Sequence, residues 1–400
     1  MHGLMRRLNR DDGVIAFVIA IFAGAAVFIT IAALVVDIGA MQLERRQLQN
    51  GAEAGALSAA YDCSFPNNPA YPCGATTSAS VVASHNARDG ATAVLTGDLC
   101  GAGSASLVSC TRPRTVRACP NTPTNAKWVQ VTTSTLTSSG SNVLPQFFAQ
   151  YVPGISPKTV TACAQAAWGP PAGNAATVFP MGLQWSCWLA QVGGSDQYGP
   201  ATYSYAASTI WERYFKMSNG NNAGCLGSSD VSAGFGWLQI SLTSCSNVSG
   251  SSYGYNSWMP IDTGNNMPTT CKNPLDPANP NTILYKSAVV PIYDCTWENG
   301  SWYGTRFPNG AACNTLAPPA GVSTGRYFHV AGYAPYMLTG YFYATSNQVY
   351  DGAMGAKLGS NCSGNDRCFF GWFTQQSLVS SGQIDDTVGY FGLNVVQLIG

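Results

Sequence analysis

Val14 to Val36 runs without a single charged residue, and the polar pattern resumes at Asp37. A helix rises about 1.5 Å per residue, so this stretch crosses the roughly 30 Å hydrocarbon layer with little to spare. The pattern then changes period without a proline or a strong stop. Ile38, Met41, Leu48, Ala52, Ala56 and Ala59 follow steps of three and four residues, or sums of them, which is one face of a helix. Arg45 interrupts the stripe, and Glu44, Arg46, Gln49 and Glu53 lie largely elsewhere. A single helix from Val14 to Ala60 is predicted, reaching about 70 Å. Asp37 is expected at the edge of the span, where its carboxylate still meets water.

After the helix the periodicity shortens to two. Lys127 to Leu136 alternates and is rich in β-branched residues, and Lys158 to Trp168 reads as a second strand. Ser78 to Ala93 and Asn142 to Tyr151 are predicted as helices. The Pro- and Gly-rich stretch Gly169 to Asn174 is the best boundary. Beyond it, Gly236 to Leu242, Ile283 to Tyr293, Arg326 to Ala331, Tyr336 to Tyr343 and Val388 to Leu398 are candidate strands. The division is residues 1–13 cytoplasmic, 14–36 transmembrane, 37–60 extended amphipathic helix, 61–168 a small α+β domain, and 169–400 a mostly β, disulfide-rich part. The fold class is α+β: a long N-terminal transmembrane helix extended into a disulfide-tied ectodomain of two parts.

Composition supports an exported protein. Only 10% of residues are charged and the formal net charge is +0, so no basic footprint for nucleic acid exists. There are 14 cysteines, all from Cys63 onward and with no C-x-x-C pair, which points to disulfides in an oxidising compartment. The close pairs Cys63/Cys73 and Cys362/Cys368 are the first expected bridges, because short loops close easily. Arg6, Arg7 and Arg10 favour a cytoplasmic N-terminus, whereas Arg45 and Arg46 follow on the far side. The cysteines decide the orientation: the C-terminal bulk is extracytoplasmic. A cleaved signal peptide is the alternative, but the apolar run is longer than such segments carry.

Within the span Ala16, Ala20 and Gly24 recur at four-residue spacing, which lets another helix approach closely, although Ala and Gly are common in membrane helices anyway. Gly13 precedes the run. Asp37-x-Gly39, Arg45-Arg46-Gln47-Leu48-Gln49-Asn50, Ala52-Glu53-Ala54 and the Ala-rich Ala56 to Ala60 follow it. This order resembles the N-terminal segment of Tad (tight adherence, Flp-type) pilus-assembly proteins of the TadE/TadG-like group, over about fifty residues. The resemblance implies a bitopic, minor pilin-like or assembly protein of a surface filament. Its anchor and assembly residues would be Gly13, Ala16, Ala20, Gly24, Asp37, Gly39, Arg46 and Gln49. Its partners would be other pilins or Tad assembly proteins met through the transmembrane helix, together with membrane lipid. Processed pilins of this kind carry Glu five residues beyond the cleavage-site Gly; that position here is Val18, so an uncleaved anchor is expected. Some TadG-like proteins hold a metal at Asp-x-Ser-x-Ser; the nearest run, Asp230 to Gly234, lacks the last serine.

Catalytic chemistry finds little support. Two G-x-S-x-G matches occur, around Ser252 and Ser323, without the strand-to-helix setting such an elbow needs. Asp294 and His329 complete a triad with Ser252 only on paper. Paired carboxylates are sparse, Asp385-Asp386 reads as a solvated turn, and no nucleotide-binding motif is present. With three histidines in the chain, neither a metal nor another cofactor is expected, and no enzyme activity. Eight tryptophans, from Trp185 to Trp372, fall in the second part and are assigned mainly to its core. Exposed ones would stack on surface glycans, which leaves a membrane-anchored adhesin or carbohydrate-binding protein as the alternative function. Sequons at Asn247, Asn299 and Asn361 mark surface loops if the host glycosylates them.

Overall fold

The computed structural model describes residues 2–65, 72–87, 92–93, 99–110, 119, 124–125, 127–137, 140–141, 143, 159–171, 178–192, 197–216, 235–238, 254–261, 267, 269–272, 275–280, 282–343, 348–350, 362, 364, 366–379 and 384–399, with residues 2–13 described by their backbone alone. Apart from Val143, the expected helix at Asn142 to Tyr151 lies outside the described residues, as do Ser252, Asn247, Asn361, Asp230 to Gly234 and the side-chain environment of Gly13.

One uninterrupted helix, α1, runs His2–Cys63. No proline interrupts it. Thr30 donates its hydroxyl to the carbonyl of Ala26 at 2.8 Å, so even the polar side chain within the apolar run is satisfied locally. The helix stops where Ser64 N–H bonds back to Ala60 O and where Cys63 is tied to Cys73, just ahead of Pro66. From Leu48 onward Leu48, Ala52, Ala56, Ala59 and Ala60 are buried. Ile38, placed on the same stripe by its spacing, is instead exposed.

The buried half of α1 packs on a sheet. Its strands, in spatial order, are β1 (Thr92–Ala93), β3 (Trp128–Thr135), β4 (Thr161–Gly169), β15 (Leu393–Leu398) and β14 (Gln376–Val379); β2 (Leu99–Ala102) also pairs with β3. Helix α2 (Thr76–His85), shorter than expected, lies against α1. The core between them is small and aliphatic: Ala79 and Ala83 of α2, Val129, Val131, Ala164, Ala166 and Val396 of the sheet. Ala-on-Ala contacts bring the helix close, which a leucine-filled seam would not allow.

The strand order crosses the expected boundary at residue 169. β15 pairs antiparallel with β4, and β14 pairs parallel with β15, so the C-terminal end of the chain completes the N-terminal sheet. Local signals mark strands, but no local signal states which distant strand is the neighbour.

A second sheet holds β6 (Arg213–Lys216), β13 (Arg367–Phe373), β11 (Arg326–Tyr343), β9 (Lys286–Glu298), β5 (Met181–Gln184) and β7 (Phe235–Trp237) in that order, with β8 (Trp258–Pro260) and β12 (Gln348–Val349) on β11 and β10 (Ser301–Gly304) on β9. The two strands expected at Arg326 to Ala331 and Tyr336 to Tyr343 form the single strand β11, which bends at register shifts around Val330 and Gly332. β9 and β15 begin later than their patterns suggest; of the strand expected at Gly236 to Leu242, residues 239–242 lie outside the described residues. The core beside it is aromatic: Phe215, Trp237, Tyr336, Phe369, Phe373 and Phe391, with ring pairs such as Trp188–Phe391 edge-on at 5.0 Å. Helices α3 (Trp185–Val192) and α4 (Tyr205–Trp211) cover β13.

The bridges Cys63–Cys73 and Cys362–Cys368 are present, together with Cys100–Cys110, Cys119–Cys163 and Cys295–Cys313. Cys187 and Cys271 are also disulfide-bonded, and no described cysteine is free. The α+β architecture, with a long apolar N-terminal helix leading into a mostly β, disulfide-tied body, is the one the sequence predicts.

Candidate functional site

α1 divides sharply at Asp37. From Val14 to Val36 every residue but Ala33 is exposed, including Phe17, Phe22, Phe28 and Ile29. This is the one helix among the described residues that is long and apolar enough to cross a membrane. A surface so apolar is costly in water and calls for lipid or another apolar partner. Ala16, Ala20 and Gly24 lie on this free half, and a Cβ built at Gly24 meets nothing within 4 Å.

Past Asp37 the same helix becomes structural. Asp37 is 3% exposed and interacts with its surroundings, so the expected meeting of its carboxylate with water is corrected: protein covers it directly after the span. Gly39 is exposed with nothing near its Cβ position, and Arg46 is exposed. Gln49 is not an outward residue. Its amide donates to Glu53 Oε1 at 2.9 Å and to the Cys163 carbonyl at 3.4 Å, fastening α1 to β4.

The tightest contacts of the embedded half went unassigned in the sequence. A Cβ at Gly51 would sit 3.1 Å from the Ala83 carbonyl oxygen, and one at Gly55 3.2 Å from that of Ala79 and 3.3 Å from Val131 Cγ1. The Gly-x-x-x-Gly spacing of these two residues is the signal that could have found them. At the helix end Asn394 donates to the Ser64 carbonyl at 2.6 Å and the hydroxyls of Ser64 and Ser377 meet, so the C-terminal strands grip the helix terminus. Asp62 is buried there; burial raises its pKa above the usual carboxylate value, against a hydrogen bond from Ser78 that lowers it.

The residues of the paper triad are partly brought together. His329 Nδ1 lies 2.7 Å from Asp294 Oδ1, and Nε2 lies 3.0 Å from Asn256 Oδ1. Asp294 Oδ2 also accepts the Phe307 N–H at 3.1 Å. Both members of the pair are buried and Trp258 closes edge-on over the imidazole at 5.2 Å between centroids. With both ring nitrogens occupied, the pair fastens strands β9 and β11 to the segment ahead of β8. Ser323 is exposed in a turn before β11. Among the described residues no three His, Cys, Asp or Glu side chains cluster as metal ligands. Of the tryptophans, Trp188, Trp237, Trp297 and Trp372 are buried, while Trp185, Trp211, Trp258 and Trp302 are half-buried.

Residues 13–62 match the family model described as putative Flp pilus-assembly TadE/G-like. The matched stretch coincides with α1, from the start of the apolar run almost to its end at Cys63. This N-terminal segment is therefore similar to that of the Tad pilus-assembly group, and the match supports a Tad pilus-associated protein. No curated protein and no solved structure matches the chain.

Proposed function

We propose that this is a membrane-anchored, non-enzymatic component of a Tad-type surface pilus, acting as a minor pilin-like subunit or assembly protein. The observation that carries the reading is the coincidence of the family match with one helix of two characters. The free apolar half inserts in the membrane and meets other pilins or assembly proteins there; the embedded half holds the ectodomain rigidly to it. The N-terminus is cytoplasmic and the disulfide-tied body extracytoplasmic, a reading supported by the confinement of disulfides to oxidising compartments. Val18, in place of the Glu of processed pilins, favours an uncleaved anchor.

Deleting the gene and imaging the cell surface tests the reading. Loss of filaments, with the protein found in membranes by its intact N-terminal peptide, is the expected result. Unchanged filament number and length would overturn it. Detection in sheared filaments with an N-terminus at Val14 would keep the pilus role and replace the uncleaved anchor by a processed subunit.

A further inference from the structure

We infer that the ectodomain has no stalk and rests directly on the outer headgroup layer of the bilayer, through the exposed face of α1 just past Asp37 and the turn after β3. The inference builds on the reading of Val14 to Val36 as the span.

The argument is one of lengths. Leu48 is the level at which β3 is fastened to α1, since the buried Thr133 hydroxyl donates to its carbonyl at 2.9 Å. From Leu48 back to Val36 the helix descends about 18 Å. The strand descends too. Gly55 of α1 faces Val131 whereas Leu48 meets Thr133, so β3 runs antiparallel to the helix, toward the membrane. From Thr133 to Thr137 an extended chain covers about 13 Å. There it turns: Thr137 N–H bonds the Ser141 carbonyl at 2.8 Å and Gly140 N–H the Thr137 carbonyl at 2.8 Å. The turn therefore lies about 5 Å above the end of the hydrocarbon, within a headgroup layer about 5–8 Å thick.

The surface at that depth suits the headgroup region. The turn residues Thr137, Gly140 and Ser141 are uncharged, and the Thr137 hydroxyl and Ser141 backbone satisfy one another. Val143 beside them is exposed. On α1 itself Ile38 is exposed, an apolar group two residues past Val36 and so placed where acyl chains end. Asp37, buried one residue after the span, leaves no free helix for a stalk.

The test uses full-length protein in phosphatidylcholine vesicles carrying a small fluorophore on a noncanonical residue at Ser141, at Val379 or at Phe28. Val379 is the distant reference, because its strand touches the far end of α1, about 40 Å from Val36. Nitroxides on lipid headgroups should quench the Ser141 label several-fold more than the Val379 label, and acyl-chain nitroxides should quench Phe28. Equal, weak headgroup quenching at Ser141 and Val379, with Phe28 still quenched in the acyl layer, would overturn the resting ectodomain and leave the span standing. Loss of acyl-chain quenching at Phe28 would overturn both.

Discussion

The hydroxyl of Thr133 on β3 donates a 2.9 Å hydrogen bond to the backbone carbonyl of Leu48, a residue 85 positions earlier in the chain. Both residues are buried, and the carbonyl belongs to a helix whose other half is bare. This bond sets the height of the sheet along α1. Thr133→Val keeps the shape and removes the donor, so stability should fall by about 1 kcal/mol. Denaturant unfolding of the ectodomain checks this; an unchanged midpoint would show that packing alone sets the register.

Gly55 has no room for a large side chain, with Ala79 O and Val131 Cγ1 both within 3.3 Å of its Cβ position. Gly55→Leu should separate α1 from α2 and β3 and cost about 2 kcal/mol or more. Gly39→Leu, at a position with nothing within 4 Å, should leave the unfolding midpoint unchanged. Equal behaviour of the two variants in a thermal melt would contradict the packing described.

Asp62 carries a pH dependence. Its folded pKa is raised, chiefly by burial, so the folded state holds its proton more tightly than the unfolded chain does. The resulting stabilisation is fully present below the unfolded carboxyl value of about 4 and is lost as pH rises through the folded value. Asp62→Asn should remove that loss: the difference in stability between variant and parent should move in the variant's favour from pH 4 to 7. A difference that stays flat over this interval would rule out Asp62 as its source.

The Asp294–His329 pair should matter for stability rather than turnover. Asp294→Ala removes the partner of His329 Nδ1 and the acceptor of the Phe307 N–H together. A cost of about 3 kcal/mol is expected for breaking a buried pair of this kind. Hydrogen exchange should quicken at the Phe307 amide before it does in the α1 core. A fluorophosphonate probe should leave the folded protein unlabelled, and labelling at a serine would point to nucleophilic catalysis instead.

Much was legible because it is written in short-range patterns. The apolar run, the absence of proline and the three- and four-residue steps define α1 from Val14 to Ala60 by themselves, though not its start at His2. The alternation over Lys127 to Leu136 marks β3, and close cysteine spacing suggests Cys63–Cys73 and Cys362–Cys368. The matched family segment lies wholly within this locally encoded helix.

What the tertiary structure alone decided depends on residues far apart. The union of β15 with β4 sets a C-terminal strand beside one more than 200 positions earlier, across the Pro- and Gly-rich stretch that reads as a boundary. The burial of Asp37 and the exposure of Ile38, its neighbour on the helix, depend on where the body meets α1, not on the period of the helix. The meeting of Asp294, His329 and Asn256 depends on three separate segments pairing in one register. Helix and strand periods are set by contacts within a few residues; neighbours across a sheet are set by the free energy of the whole packed core, which no short stretch of sequence contains.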